Sequence, residues 1–193
     1  MEISIKDTLR KNMLCQRKNM KLLDANNSST QIIDTIMKLP KFINCKNIML
    51  YISFNKEVDT YPLAKWCLAH GKTVIAPYCI KPTKQIIPYK INNLTSDLIK
   101  STFGVMEPNH NLLDKVNIED IDLIIVPGVV FDNDCNRIGL GAGYYDRFLL
   151  KILKSTLTIG IAYDYQIIDK VPTDKFDIPL DFIITERRTI FPK

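Results

Sequence analysis

The chain reads as an α/β protein, a single domain over residues 1–193 built on an open, mainly parallel sheet with helices on both faces, in the manner of a Rossmann-like fold. Three observations carry this reading. Asn47–Ser53, Ile121–Val126 and Thr156–Tyr163 are short, nearly continuous apolar runs, the pattern of strands buried on both faces of a parallel sheet. The first of them is followed by a helical stretch and then by the apolar Thr73–Ala76, and a strand, helix, strand order argues for a right-handed crossover. With 46% hydrophobic residues, 193 residues suffice for one real core.

Taken in order, Ser4 followed three residues later by Asp7 imitates a capping box and predicts a helix from there to about Asp24, with Ile5, Leu9 and Met13 on one face and Lys6 and Arg10 on a neighbouring stripe. Asn26–Ser29 predicts a break, and Thr30–Leu39 a second helix stopped by Pro40. After the strand Asn47–Ser53 comes a loop with Glu57, and Asp59, Thr60 and Pro62 start a helix that ends at Gly71. Between Tyr78 and Glu119 the pattern is weak. Gln85–Ile91 suits an edge strand, because Pro88 cannot donate to a ladder. Residues 92–117 read as loop with a short helical piece near Ser96, and so long an irregular segment is often a binding loop, with Phe103, Met106 and Glu107 available to a flat ring, although a lid packed on the core is the plainer reading. Beyond Ile121–Val126 follow a polar turn, a glycine-rich loop, helical spacing from Tyr144 to Leu153, and strands at Thr156–Tyr163 and Asp181–Thr185. Three to five parallel strands are expected at the centre.

Composition excludes several classes. The net charge of +5 comes from scattered Lys and Arg with no interleaved aromatics, which suits an acidic small molecule and argues against nucleic acid. Five well-separated cysteines without a Cys-x-x-Cys, and only His70 and His110 beside them, make no zinc site and predict reduced thiols. No apolar run reaches membrane-spanning length and the N-terminus is polar and mixed in charge, so a cytoplasmic protein is expected.

The stretch everything else supports is Arg137-Ile-Gly-Leu-Gly-Ala-Gly-Tyr-Tyr-Asp146. Glycines at 139, 141 and 143 allow positive φ and let a ligand approach backbone N–H groups, and a helix start behind them favours an anion. Arg137 and Asp146 add a cation and a carboxylate, so the run reads as a nucleotide-phosphate and metal site. It is not a Walker loop, since no Gly-Lys-Ser/Thr occurs in the chain. A dinucleotide fingerprint with Asp164 as its ribose acid is disfavoured by the glycine spacing and by the long turn between strand and glycines. For the glycines alone, a tight turn with a glycine cap is an equal alternative. Taken singly, Lys6 and Arg10 suit a solvated face, Glu57 a solvated loop acid, Asp146 a helix-start acid and Asp177 a turn acid.

The wider run, with Pro127-Gly128, Phe131-Asp132, Arg137-Ile-Gly139 and Gly143-Tyr-Tyr-Asp-Arg147 in fixed order, closely resembles the signature of the 5-formyltetrahydrofolate cyclo-ligase family. Lys6-x-x-x-Arg10, Tyr51–Thr60, Gly104-Val-Met-Glu-Pro108 and Gly160-Ile-Ala-Tyr163, with Gln166, Pro172, Asp177 and Asp181, extend the likeness over nearly the whole chain. It departs at Cys135, where the family usually turns on glycine, and at Phe176, where His is common. The resemblance implies ATP bound by Lys6, Arg10, Arg137, Ile138, Gly139, Leu140, Gly141, Ala142, Gly143, Tyr144 and Tyr145. It implies a folate bound by Ile52, Glu57 and Leu140, Gly141, Ala142, Gly143 and Tyr144, magnesium (Mg2+) on Asp146 and Asp177, and Arg137, Tyr144 and Asp146 as the residues nearest the chemistry.

The implied reaction is closure of 5-formyltetrahydrofolate to the 5,10-methenyl form. A formamide oxygen leaves poorly, so ATP phosphorylates it to an iminium phosphate, the neighbouring nitrogen attacks, and phosphate departs. Positioning and charge stabilisation suffice for this, in keeping with a chain that has no evident Ser, His, Asp constellation. A monomer or weak dimer acting on small molecules is expected. A sugar-phosphate isomerase, an acyl-CoA transferase on a similar sheet and a non-catalytic nucleotide-binding module remain as alternatives, and the acids Glu57, Asp146 and Asp177 argue against the last.

Overall fold

The computed structural model describes residues 4–101 and 104–192, so the expectation for Phe103 lies outside the described residues. Ser4 caps α1 (Ile5–Asn19), its hydroxyl accepting the Asp7 N–H at 3.2 Å. The chain breaks at Met20–Lys21, earlier than expected, and α2 (Leu22–Met37) runs straight through Asn26–Ser29. Those polar residues do not break the helix because their groups are used elsewhere. Ser29, buried, accepts the Asp59 N–H at 3.0 Å, and the Thr30 hydroxyl returns to the Asn26 carbonyl. Ala25, Ser29, Ile32, Ile33 and Ile36 then form one buried helical stripe. Pro40 opens a short helix, α3 (Pro40–Asn44), as a first-turn residue.

The central sheet contains β1 (Asn47–Leu50), β2 (Thr73–Ile80), β3 (Gln85–Ile91), β6 (Leu123–Val126), β9 (Leu157–Ile161), β11 (Phe182–Ile184) and β12 (Thr189–Ile190), in spatial order β12-β11-β9-β6-β1-β2-β3. The five central strands are parallel, and β3 and β12 close the edges antiparallel. Pro88 lies on edge β3 as expected, opposite Pro77. β2 extends well past Ala76 because β3 pairs with it over its whole length.

Both faces are buried. Alternate residues of β1 and β6 divide between two cores: Ile48, Leu50, Leu123 and Ile125 pack with α2, α3 and α4 (Tyr61–Ala69), while Met49, Ile124 and Val126 pack with Phe148 and Leu149 of α5 (Tyr144–Leu149). The helices thus flank the sheet on both sides, although α5 stops at Leu149, short of the periodic pattern.

Two small sheets were not legible beforehand. β7 (Val130–Asp132), β8 (Arg137–Ile138) and β10 (Ile167–Ile168) form one, on which α1 packs through Leu9 and Met13, while Ile5 is exposed. β4 (Leu98–Lys100) and β5 (Met106–Pro108) form a hairpin in place of the expected loop, and near Ser96 there is a turn stapled by the Asn93 and Asp97 side chains rather than a helix. Among the described residues, no helix is long and apolar enough to cross a membrane.

Candidate active site

From β1 the chain moves outward through β2 and β3, and from β6 it moves the other way through β9 and β11. The topology therefore reverses between the adjacent strands β1 and β6, and a crevice opens at their carboxyl ends, where open sheets of this kind bind ligands. It is a cleft of about 720 Å³, within the usual range for small-molecule sites. Tyr51 and Ile52 reach it from the end of β1, Pro127 and Gly128 from the end of β6, Pro77 and Cys79 from β2, and Met106 and Glu107 from β5. The other walls are the loop Arg137–Asp146 and the side chains of Lys6, Arg10, Glu57, Asp174 and Asp177. Every residue singled out for ATP, folate or metal thus borders one cavity.

The loop owes its shape to two arginines behind it. Arg10 Nε donates to the Gly139 carbonyl at 2.7 Å, and an Arg147 guanidinium N–H donates to the Ala142 and Gly143 carbonyls at 2.9 and 2.8 Å. With those carbonyls engaged, the N–H groups from Leu140 to Asp146 have no acceptor among the described residues. Gly141 and Gly143 take φ of 105° and 68°, whereas Gly139 stays out of the left-handed region. A helix of six residues has little dipole of its own, so the free amides, rather than the macrodipole expected from sequence, make this loop receptive to an anion.

The charged side chains are already paired. Arg137, almost fully buried, donates to Asp146 at 2.8 Å, while its Nε is buried without a partner. Lys6 bridges Asp174 and Asp177, both at 2.7 Å, and Arg10 pairs with Asp7. Burial alone would raise the Asp177 carboxyl, but hydrogen bonds from Lys6 and the Asp174 amide, with the charges of Lys6 and Arg137, hold it below the ordinary carboxylate range. Burial likewise pulls the Lys6 ammonium down, and its two aspartates more than offset this. Glu57 behaves differently: burial holds its carboxyl above the usual range, with Arg17 and the Phe54 N–H pulling the other way. The Tyr145 hydroxyl is buried without a partner, and burial lifts the Cys79 thiol to about 12, so it is no nucleophile.

Several motif residues hold the frame. Asp132, fully buried, accepts the N–H groups of Asp134, Asn136 and Val171 at 3.0, 2.9 and 3.0 Å. Cys135 turns the chain in the left-handed region at φ 62°, so the turn keeps a glycine-like backbone with a buried cysteine in it. A Cβ on Gly128 would lie 2.4 Å from the Phe131 ring, and the Asp181 carboxylate staples Thr158. Asp164 binds Thr185 and Arg188, away from the cleft. Phe176, beside Asp177, is exposed under the Lys175 ammonium. Sequence reading missed Arg17, buried on α1 against Glu57; its position seven residues after Arg10, on the same helical stripe, was the available signal.

The model of the 5-formyltetrahydrofolate cyclo-ligase family matches residues 2–186. The 5-formyltetrahydrofolate cyclo-ligase of Haemophilus influenzae is 30% identical over 165 residues, which cover 85% of this chain and 88% of that protein. A probable cyclo-ligase of Schizosaccharomyces pombe is 33% identical over 178 residues, 86% of this chain and 87% of that one. The solution structure of Aquifex aeolicus 5,10-methenyltetrahydrofolate synthetase superposes with a TM-score of 0.85 at 35% identity, covering 97% of this chain and 93% of that chain. A Mycoplasma pneumoniae 5,10-methenyltetrahydrofolate synthetase gives 0.77 at 25% identity, over 95% and 99%. With this cleft at its sheet switch point and a match over almost its full length, the chain belongs to the 5-formyltetrahydrofolate cyclo-ligase family.

Proposed function

We propose that the protein closes 5-formyltetrahydrofolate to 5,10-methenyltetrahydrofolate at the expense of ATP, in the cleft between β1 and β6. The observation that carries this is the run of free backbone amides from Leu140 to Asp146 along one cavity, which Lys6, Arg10 and Arg137 also border. Backbone N–H groups with no protein acceptor are free to donate to a ligand, and a polyanion with many acceptor oxygens engages several of them together. Lys6, Arg10 and Arg137 border the same end, which fits the phosphates there. The apolar remainder, with Ile52, Met106 and Tyr51, suits a flat ring, and the Glu57 carboxylate beside them accepts N–H groups of a reduced pteridine.

Asp146 and Asp177 fit a magnesium site by the same reasoning. Both are held by cations that a phosphate would also attract, and a carboxylate facing phosphate needs a divalent ion between them. Two protein carboxylates with water and phosphate oxygens meet that ion's preference, and among the described residues no larger acidic or thiol cluster offers another site. When bound, ATP supplies the phosphoryl group that makes the formyl oxygen leave, and magnesium offsets the charge on it. The chain's share is to hold the reacting atoms in line: the amides and Arg137 fix the phosphoryl end, Tyr144 and Tyr145 border the junction, and Glu57 orients the pteridine. The thiols Cys15, Cys45, Cys67, Cys79 and Cys135 are all free, which fits work in a reducing cytoplasm.

The test is the absorbance of the methenyl product formed from 5-formyltetrahydrofolate, followed with ATP and magnesium, without ATP, and without magnesium. Turnover is expected only in the complete mixture. Product formation independent of ATP, or ATP hydrolysis that ignores the folate, would refute the reading.

A further inference from the structure

α1 does more than carry two phosphate-facing cations. At 100° per residue Lys6, Arg10 and Arg17 lie within about 40° of arc on one stripe, roughly 17 Å from end to end. Lys6 and Arg10 border the loop end of the cleft. Arg17 does not line the cleft; its side chain, 6% exposed, donates to Glu57 Oε1 at 3.4 Å from behind. The turn bearing Glu57 is unusual, because Asn55 and Lys56 are consecutive non-glycine residues with positive φ, 48° and 57°. Such a turn persists only if the surroundings hold it. α1 holds it a second time: Lys56 Nζ donates to the Lys18 and Met20 carbonyls at the end of that helix, at 2.8 and 2.6 Å. The Glu57 carboxylate also accepts the Phe54 N–H at 3.3 Å, and the Glu57 carbonyl accepts the Tyr163 hydroxyl at 3.1 Å.

We infer that Arg17 is a positioning residue for this reaction: acting through Glu57, it holds that carboxylate ionised and aimed into the folate end of the cleft. This rests on the proposed reading of the cleft. The other groups around Glu57 cannot replace Arg17. From β1, Tyr51 donates its hydroxyl to the Val58 carbonyl at 2.9 Å, and from α5 comes Tyr145. Tyr163, following β9, and Tyr165 beside Arg17 complete the wall, with Asp59 and Glu186 facing those two tyrosines. All four phenols are raised by burial and stay neutral, so the opposite charge that pulls the Glu57 carboxyl down is the Arg17 guanidinium. Burial already holds the Glu57 carboxyl up; with Arg17 gone it rises further and protonates at a higher pH.

The experiment is the pH profile of kcat/KM for 5-formyltetrahydrofolate in wild type and Arg17→Met, at saturating ATP. The acidic limb should move up by roughly 1–3 pH units, the size of shift an adjacent opposite charge produces, with activity recovering toward wild type above it. Arg17→Lys should return the limb close to its original place, and the KM for ATP should change less than about twofold in both. Arg17→Gln keeps a donor for the buried carboxylate and loses only the charge, and it should repeat the Met result if Arg17→Met does not fold. A limb that stays in place, activity lost equally at every pH, or failure of both neutral variants to fold would each overturn the inference and leave Arg17 a stability residue. Wild-type turnover that proves independent of ATP would instead refute the reading of the cleft, so the two failures are distinguishable.

Discussion

Gly141→Ala isolates what the loop's backbone contributes. A Cβ added at Gly141 would meet its nearest neighbour, Arg10 Cζ, at 3.5 Å, an ordinary contact, so the methyl fits. What does not fit is the backbone: φ of 105° is a conformation that residues with a side chain rarely adopt, at a cost of roughly 1–3 kcal/mol. The variant loop relaxes to other conformations in the free protein, and ATP must restore the receptive one. Since apparent affinity falls by the fraction of competent molecules, the KM for ATP should rise about 5- to 150-fold. The KM for the folate and the melting temperature should move far less, because the exposed loop can relax without disturbing either core. Gly139→Ala is the control: its φ is not left-handed and its Cβ meets no atom within 4 Å, so its effect on ATP should be smaller. Steady-state kinetics with each substrate varied in turn decides it. An ATP KM in Gly141→Ala equal to wild type would mean that the loop is a turn and not a phosphate site.

Three further outcomes are expected. Arg137→Ala removes charge-assisted contacts worth roughly 1.5–3 kcal/mol, so kcat/KM for ATP should fall about 10- to 150-fold while near-UV circular dichroism stays native; unchanged ATP dependence would remove Arg137 from the site. Asp146→Asn and Asp177→Asn should fold and require more magnesium for the same rate, and full activity at ordinary magnesium in either variant would discount that residue as a ligand. Asp132→Ala strands the buried Val171 N–H and unpins the turn before the loop, which should cost roughly 2–4 kcal/mol and about 5–15 °C of melting temperature, measured by calorimetry; an unshifted melting point would contradict the frame role.

The parallel sheet was legible because its strands are buried on both faces, and burial of that kind writes continuous apolar runs such as Ile121–Val126. The small sheets were not. β8 is Arg137–Ile138, too short for any period to show, and β7 and β8 pair only because Asp132 and a left-handed Cys135 close the turn between them. The break expected at Asn26–Ser29 failed for a related reason. The propensity of Asn and Ser for turns is local, and Ser29 is claimed by a tertiary partner, the Asp59 N–H, that no short window contains. At the site, glycine spacing pointed to the loop and the wider family pattern to Glu57 and Asp177, and all of them border the cleft. Arg17 stayed hidden because a lone basic residue on a helix ordinarily faces water, and only the fold puts a carboxylate against it.

Ion pairing was the least legible feature, and it changes how the cleft works. Lys6, Arg10 and Arg137 read in sequence as cations waiting for phosphate, yet in the folded chain each has a carboxylate partner: Asp174 and Asp177, Asp7, and Asp146. Without a partner, almost fully buried Arg137 would carry a large desolvation cost, so Asp146 lets the fold hold that cation before any ligand arrives. The same pairing filters what can bind. On the proposed reading, a small anion would have to displace carboxylates and would then face them as like charges, whereas a nucleotide arriving with a divalent cation would give the arginine and lysine to phosphate and the released carboxylates to the metal. The acids beside the loop would then be part of the grip, each passing from a basic side chain to the metal as phosphate takes its place.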